Sequence, residues 1–198
     1  MKRKGMNKYF LGGLTVILTG CVSTPYLPAN VSTTAGGSTH INKMDYSYTP
    51  STVVSFEALK VCAATVFRND DFLLKDDARK SSEDFKYDYS QSHSFHVGGG
   101  NIFKLIDEKS NTIIASGNTR AKSQWGIIND IIKYDAKITL SHNRVGLIFQ
   151  NLQYAQENTG DFPNPGFKPI STWSSSRASV AVGSIEHLVS DFKQCVNQ

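Results

Sequence analysis

The sequence predicts an α+β domain, with an antiparallel sheet of about five strands and an N-terminal and a C-terminal helix packed on one face. Two observations predict the helices: apolar residues recur at helical spacing over residues 55–68 and again over residues 176–195. A third observation predicts the sheet. Between these two segments, apolar and polar residues alternate in short runs that are separated by polar turns, which is typical of antiparallel strands.

The first 21 residues have the organisation of a cleavable bacterial export signal. A basic start that includes Lys2, Arg3 and Lys4 precedes a short apolar run that ends in small residues. The run is shorter than the roughly 20 apolar residues that are needed to cross a bilayer. A plain signal peptide or a buried apolar helix would contain a similar run.

The end of this run, Leu18-Thr19-Gly20-Cys21, resembles the lipobox of bacterial lipoproteins. The resemblance implies that residues 1–20 are removed and that the Cys21 thiol carries diacylglycerol, which anchors the new N-terminus in a membrane. Val22 follows this cysteine. By the sorting rule of enterobacterial lipoproteins, the lack of Asp at this position implies the outer membrane. The domain is expected to face the periplasm, with the cell exterior as the alternative.

Residues 21–50 are predicted to be the lipidated cysteine and a disordered tether. They are rich in Ser, Thr, Gly and Pro and have no sustained hydrophobic period. A flexible chain of this length has a root-mean-square reach of about 25–30 Å. The chain is therefore expected to divide into a signal peptide at 1–20, a tether at 21–50 and one α+β domain at 51–198.

The net charge of +4 belongs to the export signal. Residues 1–20 contain four of the 21 Lys and Arg residues and none of the 17 Asp and Glu residues, so 17 residues of each sign remain after export. Charge therefore gives no reason to expect nucleic acid as a partner.

The first predicted helix, over 55–68, has Ser55 as its N-cap and an apolar face that includes Leu59 and Cys62. The second, over 176–195, keeps one broad apolar face and ends at Cys195.

Cys62 and Cys195 are the two cysteines that remain once Cys21 carries lipid. An even pair in an oxidising compartment suggests a disulfide. The alternative is a reactive thiol, which would need surroundings that lower its pKa, whereas Cys62 stands between Val61 and Ala63. A bridge requires Cα atoms within about 7 Å, so this prediction places the two helices side by side.

Two hairpins are predicted between the helices. Residues 102–106 and 112–117 flank a polar turn, and residues 131–141 and 145–149 flank His142-Asn143.

A further strand is predicted at 85–89, where Phe85, Tyr87 and Tyr89 share one face, either as part of the core or as an exposed binding stripe. The glycines at 98–100 indicate a turn rather than a phosphate-binding loop, since no Lys-Ser or Lys-Thr follows them.

Residues 156–174 are predicted to form a long connection that contains three prolines. A loop of this length in a compact domain is either functional or loose. Its aromatic side chains are expected either to cap the open face of the sheet or to contact a partner. They are Phe162, Phe167 and Trp173.

No sequence pattern assigns a catalytic residue, a cofactor or a metal. Nucleophile elbows, zinc-protease motifs and Walker loops are absent from the sequence. His93 and His96 are close together, but the sequence around them lacks the Cys or carboxylate partners that a zinc site recruits. We therefore expect a protein that is not an enzyme and that binds neither a metal nor a cofactor.

Two segments resemble an uncharacterised bacterial domain family with a TATA-binding-protein-like fold. They are residues 101–122, which contain an Asp-Glu-Lys turn, and residues 137–152, in which Arg144 follows a turn. The resemblance implies a helix, a twisted antiparallel sheet and a closing helix over about residues 52–196. Val145-Gly146 departs from the family, where an aromatic residue is common. The family has no established activity, so the resemblance assigns no functional residue.

Three functions are compatible with the sequence. The first is an outer-membrane lipoprotein whose domain is a non-enzymatic interaction or assembly module with an envelope protein as partner. The second is a carrier that holds a small ligand on the face of Phe85, Tyr87 and Tyr89. The third is an envelope hydrolase, which would need titratable side chains converging in one cleft.

Overall fold

The computed structural model describes residues 27–36, 39–77, 93–123, 126–173 and 176–198. The lipobox with Cys21 and the predicted strand at 85–89 lie outside these residues. Neither helix in the described ranges is long and apolar enough to cross a membrane.

The described residues form nine strands and two helices. The strands are β1 (Val31–Thr33), β2 (Ile41–Tyr48), β3 (Phe72–Asp76), β4 (His93–Val97), β5 (Phe103–Asp107), β6 (Thr112–Ser123), β7 (Ile128–Ser141), β8 (Arg144–Gln156) and β9 (Lys168–Pro169). The helices are α1 (Phe56–Val66) and α2 (Ala178–Val196).

Seven strands form one antiparallel sheet in the order β1-β2-β8-β7-β6-β5, with β9 also paired to β8. Strands β3 and β4 form a separate two-stranded sheet. The α+β class is thus confirmed. The prediction of about five strands is wrong. The strands β1, β2, β3, β4 and β9 lie outside the predicted ones, because four of them have five residues or fewer and β2 follows a segment rich in Ser, Thr and Gly.

The predicted hairpin of β7 and β8 forms the centre of the sheet. Residues at alternate positions of both strands are fully buried, including Ile138, Leu147 and Phe149. The turn places His142 at φ 49° and Asn143 at φ 58°, which is the backbone that two-residue hairpin turns require.

Both helices share one core with the sheet. The Ser55 hydroxyl accepts a hydrogen bond from Ala58 N at 3.1 Å, as predicted for an N-cap. Phe67, just after α1, stacks on Phe192 of α2 with ring centroids 5.6 Å apart. It also meets Phe149 of β8 edge-on at 6.0 Å.

The predicted bridge between Cys62 and Cys195 is present, with Cα atoms 5.7 Å apart. It joins α1 to the end of α2. The two cysteines are 133 positions apart, so the bridge encloses most of the chain of the domain.

The prediction of a disordered tether over 21–50 is wrong for residues 31–33, which form β1 and pair with β2. It is also wrong for residues 41–48. These residues form β2, which pairs with β8 from Lys43–Gln150 to Tyr48–Val145. Ile41 and Met44 are buried in the core. The domain therefore begins well before residue 51, because β2 supplies both hydrogen bonds and apolar side chains to the sheet.

The β3–β4 hairpin packs on the other face of the large sheet. Ile131 and Ile132 are consecutive in β7 and both are buried, and neighbouring strand residues point to opposite faces. Ile132 belongs to the helix-side core. Ile131 packs with Phe72 and Leu74 of β3, so both faces of the sheet are covered at this end.

The predicted long connection at 156–174 is anchored rather than loose over the described residues 156–173. It contains β9, and Ser171 forms a β-bridge with His40. Lys75 N donates to Glu157 O at 2.9 Å, and Thr159 N donates to Lys75 O at 3.1 Å. These contacts fasten the connection to β3 and to the start of β2.

Candidate functional site: a polar cleft on the sheet

A cleft of about 630 Å³ opens on the face of the large sheet away from the helices. We call it the polar cleft, because hydrogen-bonding groups from β5, β6, β7 and β8 converge in it. Its polar lining includes Asn69, Lys104, Ser116, Lys133, Asp135 and Asn151.

Asp135 is the centre of the polar cleft, and its side chain is 14% exposed. Lys104 Nζ lies 2.7 Å from Asp135 Oδ1, and the Ser116 hydroxyl donates to the same oxygen. Asn151 Nδ2 donates to Oδ2 at 2.7 Å. The carboxylate is therefore bound by donors from three other strands.

A β-bulge aims Asn151 at this carboxylate. Lys133 pairs with Gln153 and Asp135 pairs with Gln150, so Tyr134 stands opposite two residues of β8. Asn151 is one of those two, at φ 54°, a conformation that Asn tolerates better than most residues.

The surroundings keep Asp135 ionised. Burial alone would raise the pKa of its carboxyl group, but hydrogen bonds from Lys104, Ser116 and Asn151 outweigh this effect, so the pKa is lowered from its usual value. A carboxylate in this state accepts hydrogen bonds and does not supply a proton.

Lys133 lies beside Asp135 on β7 and is held by aromatic rings. Its Nζ atom lies 4.4 Å from the ring centroid of Phe167 and 5.8 Å from that of Phe72. A cation over such faces is attracted by the ring quadrupoles. The ammonium group is thereby held at the rim of the polar cleft.

Asn69 and the glycine turn form one wall of the polar cleft. Gly99 N donates to Asp71 Oδ1 at 2.5 Å. A Cβ atom on Gly99 would lie 2.0 Å from Asn69 O, so this turn can approach Asn69 only with a glycine there. These glycines lie in the connection between β4 and β5, which has no regular secondary structure.

His93 and His96 do have carboxylate partners, which corrects the interpretation of the sequence. Across the β3–β4 hairpin, His93 Nδ1 lies 3.2 Å from Asp76 Oδ1, and His96 Nε2 lies 3.4 Å from Asp71 Oδ2. These two histidine–carboxylate pairs were not predicted, because the partners are distant in the sequence. Within the described ranges, no three His, Cys, Asp or Glu side chains are grouped so that they could hold a metal.

The three aromatic residues predicted as partner contacts have different surroundings. Phe162 is 77% exposed and Trp173 is 58% exposed. Phe167 instead packs edge-on against Phe72, with ring centroids 5.6 Å apart. The structure therefore leaves Phe162 and Trp173 accessible and uses Phe167 to hold the connection on the sheet.

Asp135, Lys104 and Lys133 were not among the residues predicted from the sequence. One signal was available: Lys133, Asp135 and Lys137 are charged residues that alternate with Ile132, Tyr134 and Ala136 along the strand. Such a pattern marks the open face of a sheet. It does not tell which other strands bring partners to that face.

The structure also limits what the resemblances imply. The expected helix, antiparallel sheet and closing helix are present, but many unrelated α+β domains share these features. The assignment to a TATA-binding-protein-like family stays a prediction, since comparisons with protein-family models, curated proteins and solved structures found no match for this chain.

Proposed function

We propose that this protein is a lipid-anchored, non-enzymatic binding module of the bacterial cell envelope. It is held in the outer membrane through Cys21, and its polar cleft contacts an envelope protein. The observation that carries the binding role is the convergence of donors and acceptors from four strands in one open cleft.

The chemistry of the polar cleft supports recognition rather than catalysis. A general base works best with a pKa near the operating pH. The hydrogen bonds to Asp135 lower the pKa of its carboxyl group, away from that range. Its neighbours Lys104 and Asn151 instead make a fixed arrangement of charge and hydrogen bonds that a polar partner can recognise.

The anchor is tested by replacing Cys21→Ser. We expect the variant to lose lipid labelling and to leave the membrane fraction, because the diacylglycerol attachment needs the thiol. Labelling with a radioactive fatty acid and fractionation of cells measure both effects. Normal labelling of the variant would contradict the lipobox assignment, whatever the domain binds.

The polar cleft is tested with two charge reversals on β7. Lys133→Glu changes a residue of the cleft, whereas Lys137→Glu changes an exposed residue of the same strand that does not line it. We expect the unaltered domain and Lys137→Glu to capture the same partner from detergent-solubilised envelopes. Lys133→Glu should fail to capture it.

Melting temperatures of both variants serve as the control for folding. Capture of the same partner by a folded Lys133→Glu variant would contradict the role of the polar cleft. Failure to capture any partner across several detergents and salt concentrations would count against the binding function itself.

A further inference from the structure

A second groove runs between the end of β6 and helix α2, with a volume of about 420 Å³. We call it the edge groove. It shares no lining residue with the polar cleft, so a ligand of the edge groove would not depend on the function proposed for the cleft. The lining includes Arg120, Lys122, Ser179, Gly183, Ser184 and Leu188.

The backbone of β6 faces outward along the edge groove. Ser116 N donates to Ile102 O at 2.8 Å and Asn118 N donates to Arg68 O at 2.7 Å, both on the side away from β7. In a regular antiparallel strand, residues two apart direct their N–H and C=O groups the same way. The register between β6 and β7 is continuous from Thr112 to Ser123. Arg120 and Lys122 therefore also direct their N–H and C=O groups outward.

These outward groups form an open strand edge in the described part of the chain. No backbone hydrogen bond from another described segment reaches Arg120 or Lys122 on that side. An unpaired row of this kind is a template for another strand. Addition of a strand to a sheet edge is a common mode of peptide recognition, in which side chains alternate between pockets and solvent.

Helix α2 leaves room for the side chains of such a strand. A Cβ atom on Gly183 would meet no heavy atom within 4 Å. Ser179 and Ser184 are also small, and Leu188 is partly buried at the groove. The helix wall can therefore take apolar side chains of modest size from a strand laid along β6.

Positive charge on the other face of β6 favours an acidic partner strand over a second copy of this chain. Arg120 is 57% exposed, with Nη2 3.4 Å from Glu157 Oε1, and Lys122 is exposed. These even-numbered residues face away from the helix side, where Ala121 is buried. A second copy of this chain paired antiparallel at Ala121 would set Arg120 against the copy's Lys122, and like charges directly opposite destabilise strand pairing.

We propose that the edge groove binds an extended polypeptide from a partner protein, in which acidic residues alternate with small apolar residues. The acidic residues lie opposite Arg120 and Lys122. The apolar residues point to Gly183 and Leu188 of α2.

The probe is a fluorescein-labelled peptide, Glu-Val-Glu-Val-Glu-Val-Glu. In an antiparallel pairing, the glutamates opposite Arg120 and Lys122 exchange backbone hydrogen bonds with them, so the control peptide carries N-methyl groups on its two inner glutamates. Fluorescence anisotropy with the full exported chain should give saturable binding of the first peptide. Binding of the methylated peptide should be at least tenfold weaker, because each N-methyl group removes a ladder donor and keeps the glutamate charge. Hydrogen exchange at the amides of Arg120 and Lys122 should slow when the first peptide binds.

Two variants and one matched control locate the site. Lys122→Pro removes an outward N–H and leaves the ladder to β7 intact, and Gly183→Met fills the groove. Each should weaken binding at least tenfold. Ser190→Met adds the same side chain at an exposed position of α2 outside the groove and should leave binding unchanged. Melting temperatures check that all three fold.

Four results would overturn the proposal. The first is the absence of saturable binding, and the second is binding that survives Lys122→Pro. The third is slow hydrogen exchange at the amides of Arg120 and Lys122 already without peptide. The fourth is a dimer of the free protein that Lys122→Pro abolishes in sedimentation, since it would assign the edge to a second copy.

Discussion

Gly99 illustrates how one residue sets the shape of the polar cleft. Its Cα faces Asn69 O so closely that a Cβ atom would lie 2.0 Å from that oxygen, and Asn69 is a lining residue. A side chain there would push the glycine turn away from the segment that follows α1. The position of this wall therefore depends on the absence of a Cβ atom at residue 99.

The corresponding prediction compares two adjacent glycines. Gly99→Ala should destabilise the domain by about 1–3 kcal/mol, the usual cost of forcing extra atoms into a packed site. Gly98→Ala should be nearly neutral, because a Cβ atom there meets nothing within 4 Å. Urea unfolding of both variants measures the difference, and equal stabilities would contradict the close approach to Asn69.

Individual residues were predictable where the signal is local or where few residues of one type are available to pair. The N-cap at Ser55 follows from the helical period that begins beside it. The bridge between Cys62 and Cys195 was predicted by counting the cysteines that an exported chain would keep. The binding of Asp135 by Lys104 and Asn151 could not be foreseen. It depends on a bulge and on strand order, and neither leaves a local mark in the sequence.

Strand β2 is the element that most changes the organisation expected from the sequence. Its alternation, Met44-Asp-Tyr46-Ser-Tyr48, is a strand pattern, but it lies at the end of a window rich in Ser, Thr and Gly. Composition over the whole window indicated disorder, whereas periodicity over eight residues was the better guide. The two hairpins were predicted because their turns and alternating runs are adjacent in the chain.

Truncating a core residue of β2 distinguishes a strand from a tether. Met44→Ala should reduce the free energy of unfolding by about 2–5 kcal/mol, because Met44 is fully buried. Lys43→Ala is the matched control on the same strand, where the salt bridge to Asp45 is exposed and contributes little. An unchanged melting temperature for Met44→Ala would place residues 41–48 outside the folded domain.

At the scale of the whole molecule, the bridge between Cys62 and Cys195 closes most of the domain into one covalent loop. On the chain-entropy model, closing a loop of more than 100 residues stabilises the folded state by about 4–5 kcal/mol. The double variant Cys62→Ala, Cys195→Ala should therefore melt roughly 10–20 °C lower.

Reductant provides the control for this effect. It should lower the melting temperature of the unaltered protein towards that of the double variant and leave the double variant unchanged. Identical melting curves for the two proteins without reductant would contradict the stabilising role of the bridge.

The covalent loop also limits how far a pulling force can extend this protein. A force applied from the N-terminal side to the end of the chain passes through β1 and β2 and then crosses the sulfur–sulfur bond, so it bypasses the residues between Cys62 and Cys195. Only the described segment before Cys62, about 35 residues, can unravel, which releases at most about 120 Å of chain. The residues between the two cysteines therefore bear no tension, and the extension comes from β1, β2 and the chain up to Cys62.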